Sequence, residues 1–525
     1  MAAAAHAAVE RVGGNSGAAV AGRDHVVVFP FMAKGHMIPL LHFAAALASR
    51  HGSELRVTVV TTPANLAFAR RRLPPSVDVS TLPFPPHPEI PPGVESTDAL
   101  PSESLFPSFL RATASLRDPF AKLMSSLADS SSPSPPLALV SDFFLGFTQR
   151  VADGAGVRRV TFHGMSAFSL ALCFTLSTSR PHDAAAAGGG EEAFRVPGFP
   201  EEVTITANEV PHAVTQGADA DDPVTKFLND EVLGWDYRSW GVLVNSFAAL
   251  DGDYAGILES LYLPGARAWL VGPLFLAAGD DNSPPVTNQE DDGDDEEGCI
   301  RWLDERAPGS VVYVSFGTQA RLAATQLDEL AHGLVESGHA FLWAVGRAEW
   351  SPPVDAGPYG KIVRGWAPQR RVLAHTAVGA FLTHCGWNSV LESLAAGKPM
   401  VAWPVMAEQA ANAKLVADIV GAGVRVRVDR RTNGGGGGIV GRAQVAEKVR
   451  RVMDGGEEGR TMRAKAEEVR RAAIAAVAEG GTSTAALRRL VDELRSSYDD
   501  DDVAVAGGDR TTTAVAPANG ANGKR

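Results

Sequence analysis

The chain has 525 residues, 45% of them apolar and 21% charged, ordinary proportions for a soluble globular protein and a length that favours two cores over one. The formal net charge is −13, but nine acids between positions 280 and 297 and four at Asp499–Asp502 account for that excess. The remainder is nearly balanced, which argues against nucleic-acid binding by a basic surface, and the acids read as solvated runs in a linker and a tail.

Residues 1–23 are rich in Ala and Gly and lack a basic start followed by a Leu-rich core. They read as a disordered tail rather than a signal peptide. Asp24–Phe31 is a short β-rich run, followed by a loop ending at His36 and a helix over Met37–Ser49, with Pro39 tolerable in its first turn. Leu55–Thr61, Val77–Leu82 and Leu137–Val140 continue the strands, with helical sequence such as Pro107–Asp129 between them. Strands alternating with helices predict a parallel sheet covered on both faces. The run Ser166–Thr178 is the nearest approach to a membrane span, and it is too short and too hydroxylic. Ala184–Gly190 reads as an Ala/Gly loop, and Gly241–Ser246 and Ala268–Val271 close a first domain, 24–276.

Residues 277–298 mix Pro, Gly and Asn with the nine acids and read as an exposed linker. A second alternation then begins, with Ser310–Ser315 and Ala340–Val345 as strands around a helix over Ala324–Ser337. Arg425–Val428 is expected to be its last strand, and Asn433–Gly438 a loop. Helices over Arg442–Met453, Glu457–Ala478 and Ser483–Ser496 follow. The expected second domain is 299–478, with a terminal helix in 479–498 and a disordered tail over 499–525. Three widely spaced cysteines, Cys173, Cys299 and Cys385, give neither a disulfide framework nor a zinc spacing, so a cytoplasmic, reducing setting is expected.

The chemistry concentrates between Trp366 and Gln409. Val378–Thr383 reads as a buried strand, His384-Cys385-Gly386 as a turn, Asn388–Ala396 as a helix and Met400–Trp403 as the next parallel strand. Strand, Gly-containing turn and helix aim free N–H groups and a positive dipole end at an anion. His384, Asn388 and Ser389 add side-chain donors for phosphate oxygens. Glu392, one turn beyond Asn388, can accept from both hydroxyls of a ribose. Trp366 offers a flat face to a base, and Glu408 with Gln409 can read a polyol. Together these residues describe a nucleotide-sugar site. Taken singly, each has a plainer reading: Trp366 as a core aromatic, Asn388 and Ser389 as helix caps, Glu392 as a solvated glutamate.

This stretch resembles the 44-residue signature box of plant secondary-product UDP-glycosyltransferases, and the likeness extends over roughly residues 24–497. N-terminal phrases such as F-P-F-M-A-K-G-H, I-P-P-G-V-E and S-D-F-F-L-G look most like the 90A group of that family. The resemblance implies a GT-B fold, two facing Rossmann-like domains with parallel sheets, the final helix crossing back to the first domain. It implies that Ala367 and Gln369 join Trp366 at the uracil and ribose. Thr318, after S-F-G, is expected to join the donors around the diphosphate. Gln409 together with Trp387 looks like the glucose type of donor site.

The same resemblance places a catalytic base at His36, whose unperturbed pKa of about 6.5 suits the task. Read alone, a His at this position is more often structural. Asp142 ends another strand of the first domain, so parallel strands would bring it to the same sheet edge as His36. It could orient the imidazole as the Asp of a catalytic triad does, or simply cap the next helix. The family's His–Asp dyad favours the first role, with Asp153 the weaker candidate. No acidic pair follows a strand near the box, so no metal and no other cofactor is expected. Hydrogen bonds and the helix dipole would meet the leaving diphosphate instead.

The expected activity is inverting transfer of glucose from UDP-glucose to a hydroxyl of a small lipophilic acceptor, by a monomer. Phe143, Phe144 and Phe168 lie near the first-domain loops but are more often core, so they are left out of the site. Two other readings compete. A non-catalytic UDP-sugar sensor is possible in principle, although both His36 and Asp142 are present. A dinucleotide-dependent oxidoreductase fails, because G-A-G-V-R at Gly154 and at Gly421 lacks the third Gly and follows helices.

Overall fold

The computed structural model describes residues 24–128, 134–187, 192–217, 219–279, 293–320, 322–346, 350–427 and 438–505. Two parallel sheets organise them. The first consists of β1 (Asp24–Phe29), β2 (Leu55–Thr61), β3 (Asp78–Thr81), β4 (Pro136–Asp142), β5 (Arg158–Phe162), β6 (Gly241–Val244) and β7 (Arg267–Leu270), in the spatial order β3-β2-β1-β4-β5-β6-β7. The second consists of β8 (Val311–Ser315), β9 (Ala340–Val345), β10 (Gly360–Arg364), β11 (Val378–Thr383), β12 (Met400–Ala402) and β13 (Gly423–Arg425), in the order β10-β9-β8-β11-β12-β13. Every residue of β4 and β8 is buried. Helices cover both faces of such a sheet, so these strands read as unbroken apolar runs rather than as alternation.

In both sheets the order reverses beside the first strand, between β1 and β4 and again between β8 and β11. A crevice opens outside the carboxyl ends of the strands at such a point, the usual ligand position in α/β sheets. His36 follows β1 and Asp142 ends β4; Thr318 follows β8 and His384 follows β11. The fold thus sets one half of the expected site at each switch point.

The C-terminal helix Thr482–Val505 packs on the first sheet's side. Ala486, Leu487, Leu490, Val491 and Leu494 form its buried stripe, at the spacing of one helical face. Trp269 Nε1 donates to Glu493 at 3.2 Å, and Arg495 reaches Asp24 at 2.6 Å and Glu54 at 2.8 Å.

Several sequence readings need correction. The helix after β1 is Lys34–His51, so His36 lies in its first turn, not in a loop, and Pro39 is its sixth residue. Gly35 hid that start. Pro107–Asp129 is two helices, Phe106–Ala114 and Arg117–Ala128. Ala184–Ala187 completes a helix from Pro181, as an alanine run favours. The strands Arg158–Phe162 and Gly360–Arg364 were missed because arginines flank them. The last strand is Gly423–Arg425, earlier than expected. Within the expected linker 277–298, residues 293–298 begin the helix Gly293–Asp304. The terminal helix continues to Val505, seven residues into the expected tail. The 1–23 tail, 280–292 of the linker and the tail from 506 onward lie outside the described residues, as does nearly all of the Asn433–Gly438 loop. The three cysteines are buried and none is in a disulfide. No helix among the described residues is long and apolar enough to cross a membrane.

Candidate active site

The first half of the site is a hydrogen-bonded pair. His36 Nδ1 lies 2.7 Å from Asp142 Oδ2, with a quarter of the imidazole exposed and the carboxylate fully buried. An ionised carboxylate only accepts, so Nδ1 carries the proton and Nε2 is left for other work. Asp142 does not cap the next helix, which starts at Phe147 behind Gly146. Its second oxygen accepts from the Phe144 backbone N–H at 3.0 Å. Burial pulls the His36 pKa down, but Asp142 and, from the second domain, Glu408 outweigh it and hold the value above 6.5. Phe31, Phe143 and Phe144 surround the imidazole, with ring centroids 5.7, 6.3 and 5.5 Å away. Phe168 packs instead on Phe199 and Tyr254 in the core. Asp153 lies on a helix and binds Gln149 and Arg238.

The second half is built on the turn after β11. The helix Trp387–Ala395 has Gly386 at its N-cap with no side-chain cap, so its first N–H groups remain available to an anion. His384 fills the space between two glycines. A Cβ at Gly317, whose φ is +72°, would sit 2.8 Å from the ring, and one at Gly386 would sit 2.5 Å from Nε2. Burial pushes the His384 pKa down to about 4, so the ring is neutral at working pH. Thr318 stands exposed beside Gly317.

Neither Asn388 nor Ser389 caps the helix. Asn388 Nδ2 donates across the cleft to the Gly35 carbonyl at 2.8 Å. Gly35 can accept because Pro39, four residues on, has no N–H to occupy that carbonyl. Ser389 Oγ accepts from Gln369 Nε2 at 3.1 Å, and the same nitrogen donates to Glu392 Oε2 at 2.7 Å. Tyr313 OH holds the Gln369 oxygen at 3.3 Å. Burial raises the Glu392 pKa, against the Gln369 hydrogen bond. Trp366 is exposed at the rim beyond β10, beside buried Ala367.

Trp387 is buried, and its indole N–H donates to the Asn245 carbonyl of the first domain at 2.7 Å. Its one polar atom therefore fastens the domains together. Gln409 Oε1 accepts from the Val405 and Met406 N–H groups, both at 2.9 Å, which turns its NH₂ group the other way. Glu408 accepts from Asn412 Nδ2 at 2.9 Å. Asn412 was not anticipated, yet it is fully buried and joins three parts of the site. Its amide also donates to Cys385 O at 2.9 Å, and its oxygen accepts from Ser169 of the first domain at 2.6 Å. Its place four residues after Glu408, on one helix face, was the available signal. Cys385 itself holds a left-handed φ of +64°, the strained backbone common at binding turns.

Comparison with known proteins fits this geometry. The model of UDP-glucoronosyl and UDP-glucosyl transferases matches residues 299–435, and that of the glycosyltransferase N-terminal domain matches 24–187. Scopoletin glucosyltransferase of Nicotiana tabacum is 35% identical over 493 residues, covering 91% of this chain and 99% of the relative. The chain belongs to the plant UDP-glycosyltransferases. The structure of Glycyrrhiza uralensis UGT73P12, complexed with glycyrrhetinic acid 3-O-monoglucuronide, superposes with a TM-score of 0.79 at 30% identity, covering 92% of this chain and 99% of that one. Phytolacca americana UGT2, complexed with UDP-2fluoro-glucose and pterostilbene, superposes at 0.72 with 29% identity, covering 90% and 99%. The two-sheet architecture of the transferase is that of the GT-B fold, and the sensor and oxidoreductase readings are set aside.

Proposed function

We propose that this transferase moves glucose from UDP-glucose to a hydroxyl of a small lipophilic acceptor, with His36 as general base and inversion at the anomeric carbon. The observation that carries this reading is the 2.7 Å His36–Asp142 pair, placed against the Asn388 turn by the Gly35 contact. Asp142 fixes the Nδ1–H tautomer, so Nε2 takes the acceptor proton as the acceptor oxygen attacks the anomeric carbon. Asp142 then offsets the imidazolium that forms, and UDP departs from the opposite side.

The departing diphosphate meets the open N-terminus of the Trp387–Ala395 helix, with His384, Asn388, Ser389 and Thr318 as further donors. Neutral His384 acts there as a hydrogen-bond donor, not as a cation. Trp366 stacks on the uracil, with Ala367 beside it. Gln369 holds one oxygen of Glu392, leaving the other for the ribose hydroxyls. Glu408 and the Gln409 NH₂ group read the sugar, and Trp387 walls that pocket. Among the described residues no group of three His, Cys, Asp or Glu could hold a metal ion, and the reading assigns none. Partly exposed Phe144, backed by buried Phe31 and Phe143, gives the acceptor an apolar face near the imidazole. The name of the Nicotiana tabacum relative and the UDP-2fluoro-glucose complex support glucose as donor.

The test is UDP release from UDP-glucose, UDP-galactose and UDP-xylose, each with a pooled panel of phenolic and terpenoid acceptors, with product mass read in parallel. Acceptor-dependent release with a hexose mass gain from UDP-glucose, lost in His36→Ala, is the expected result. Turnover that survives His36→Ala would overturn the base assignment, and a preference for another donor would overturn the sugar.

A further inference from the structure

We infer that Arg159, anchored by Asp236, is a positioning residue for the His36–Asp142 pair and acts through the end of strand β4. The inference rests on the roles proposed above for those two residues. Arg159 is wholly buried on β5, the strand beside β4. Its Nε donates to Ser141 Oγ at 2.8 Å, its Nη2 to the backbone carbonyl of Asp142 at 3.2 Å, and its Nη1 to Ser239 Oγ at 2.8 Å. One rigid, planar fork therefore grips both of the last two residues of β4. Ser141 carries the grip onward, since its hydroxyl also meets Thr148 Oγ1 at 2.8 Å beyond the loop that holds Phe143 and Phe144.

Asp236 holds the fork from behind. It is wholly buried, 3.5 Å from Arg159 Nη1, and accepts from Thr161 Oγ1 at 2.6 Å, His163 Nε2 at 2.8 Å and Tyr262 OH at 3.1 Å. A buried ion pair is weak evidence of stabilisation, because apolar residues of the same volume often hold a fold as well. What the charge adds here is direction: two donors of the guanidinium point at the segment that aims the Asp142 carboxylate. A second link leaves the same carboxylate through His163. The His163 ring stacks on Phe143 at 4.5 Å and 12°, and Phe143 follows Asp142 in the chain and faces His36. Both neighbours of the Asp142 side chain are thus set by one buried polar network.

Arg159→Lys keeps the charge but cannot grip both residues, and Ser141→Ala removes the hydroxyl that accepts from Arg159 and meets Thr148. With UDP-glucose and the best acceptor of the panel, Arg159→Lys should lower kcat about tenfold, a modest displacement of a reacting group. Ser141→Ala should lower it about threefold, the scale of one hydrogen bond. UDP affinity and the UDP-glucose KM should stay within about twofold, since neither residue reaches the donor half. The charged groups facing His36 are Asp142 and Glu408. As Asp142 swings away, the acid limb of the kcat/KM profile should move to lower pH, in the same direction as in Asp142→Asn.

Wild-type kcat in Arg159→Lys protein that folds and binds UDP would overturn the inference. So would a loss of activity that only tracks the UDP-binding fraction and leaves the pH limb in place. Should Arg159→Lys fail to fold, Ser141→Ala decides alone, by the same kcat and pH readouts. Turnover surviving in His36→Ala sinks the base assignment itself; an inactive His36→Ala beside a normal Arg159→Lys sinks only this inference.

Discussion

The two sheets present the same edge twice and fill it with opposite chemistry. At the first switch point, a buried carboxylate raises the affinity of a histidine for protons. At the second, burial without a carboxylate partner pushes His384 down to about 4. One topology thus holds a histidine of raised proton affinity in one domain and a neutral histidine in the other. The histidines sit on different strand ends: His36 follows β1 and meets the Asp142 that ends β4, whereas His384 follows β11 itself, behind Thr383, with no carboxylate beside it. A carboxylate at that second position would repel a diphosphate. The folds supply location, and the residue at the strand end decides the charge.

The largest expected effect breaks the first half outright. His36→Ala should lower kcat by about 10²–10⁴-fold, the range for losing a general base, while UDP binding persists by calorimetry. Asp142→Asn comes next, with a loss of about 10- to 100-fold, because the imidazole remains but its tautomer and its charge compensation are gone. The sign of its pH effect is fixed. His36 titrates above 6.5 in the folded wild type, so activity should rise with pH through that value. Without the carboxylate, burial dominates, and the acid limb should move down. A limb that moves up, or stays, would show that Asp142 does not set the His36 pKa. Linkage gives a stability counterpart. The pair stabilises the fold fully below pH 6.5, and that contribution is lost as pH rises through the raised folded value.

A smaller effect tests the second half. Trp366→Ala should raise the UDP-glucose KM about tenfold with kcat nearly unchanged, as expected for an exposed stacking platform. An unchanged KM would return Trp366 to the plainer role of a rim aromatic.

Much of this was legible in the sequence, and unevenly so. The strands β1, β2, β4, β8 and β11 announced themselves as apolar runs between turns, and the resemblance to the signature box named the residues of the candidate second half. The His36–Asp142 contact was inferable from two strand ends of one parallel sheet. What stayed hidden were partnerships across the cleft. Asn388 reads as a helix cap or a phosphate donor, and nothing local says that its amide reaches Gly35. Trp387 and Asn412 likewise look like residues of one domain, and each spends a polar atom on the other or on a carbonyl far along the chain. Arg159 and Asp236 are 77 positions apart, and a charged residue opening a strand reads as a flank rather than as buried. Local periodicity carries no information about such pairs.

The smallest expected effect sharpens the contrast, because it sets stability against activity. Pro39 removes the N–H that would otherwise occupy the Gly35 carbonyl, and that carbonyl receives Asn388 from the other domain. Pro39→Ala restores a helical donor at this position and relieves the clash of the ring with the preceding turn. Melting temperature should therefore rise, by an amount tempered by the freer unfolded chain. The new N–H would compete with Asn388 for Gly35, loosening the seam that presses the His36 turn against the Asn388 turn. A fall in kcat/KM of about two- to threefold is expected, the scale of one weakened hydrogen bond. A higher melting temperature with unchanged kcat/KM would mean that the Gly35–Asn388 bridge merely accompanies closure. The two changes together would mean that the proline is placed to keep a carbonyl free for the opposite domain.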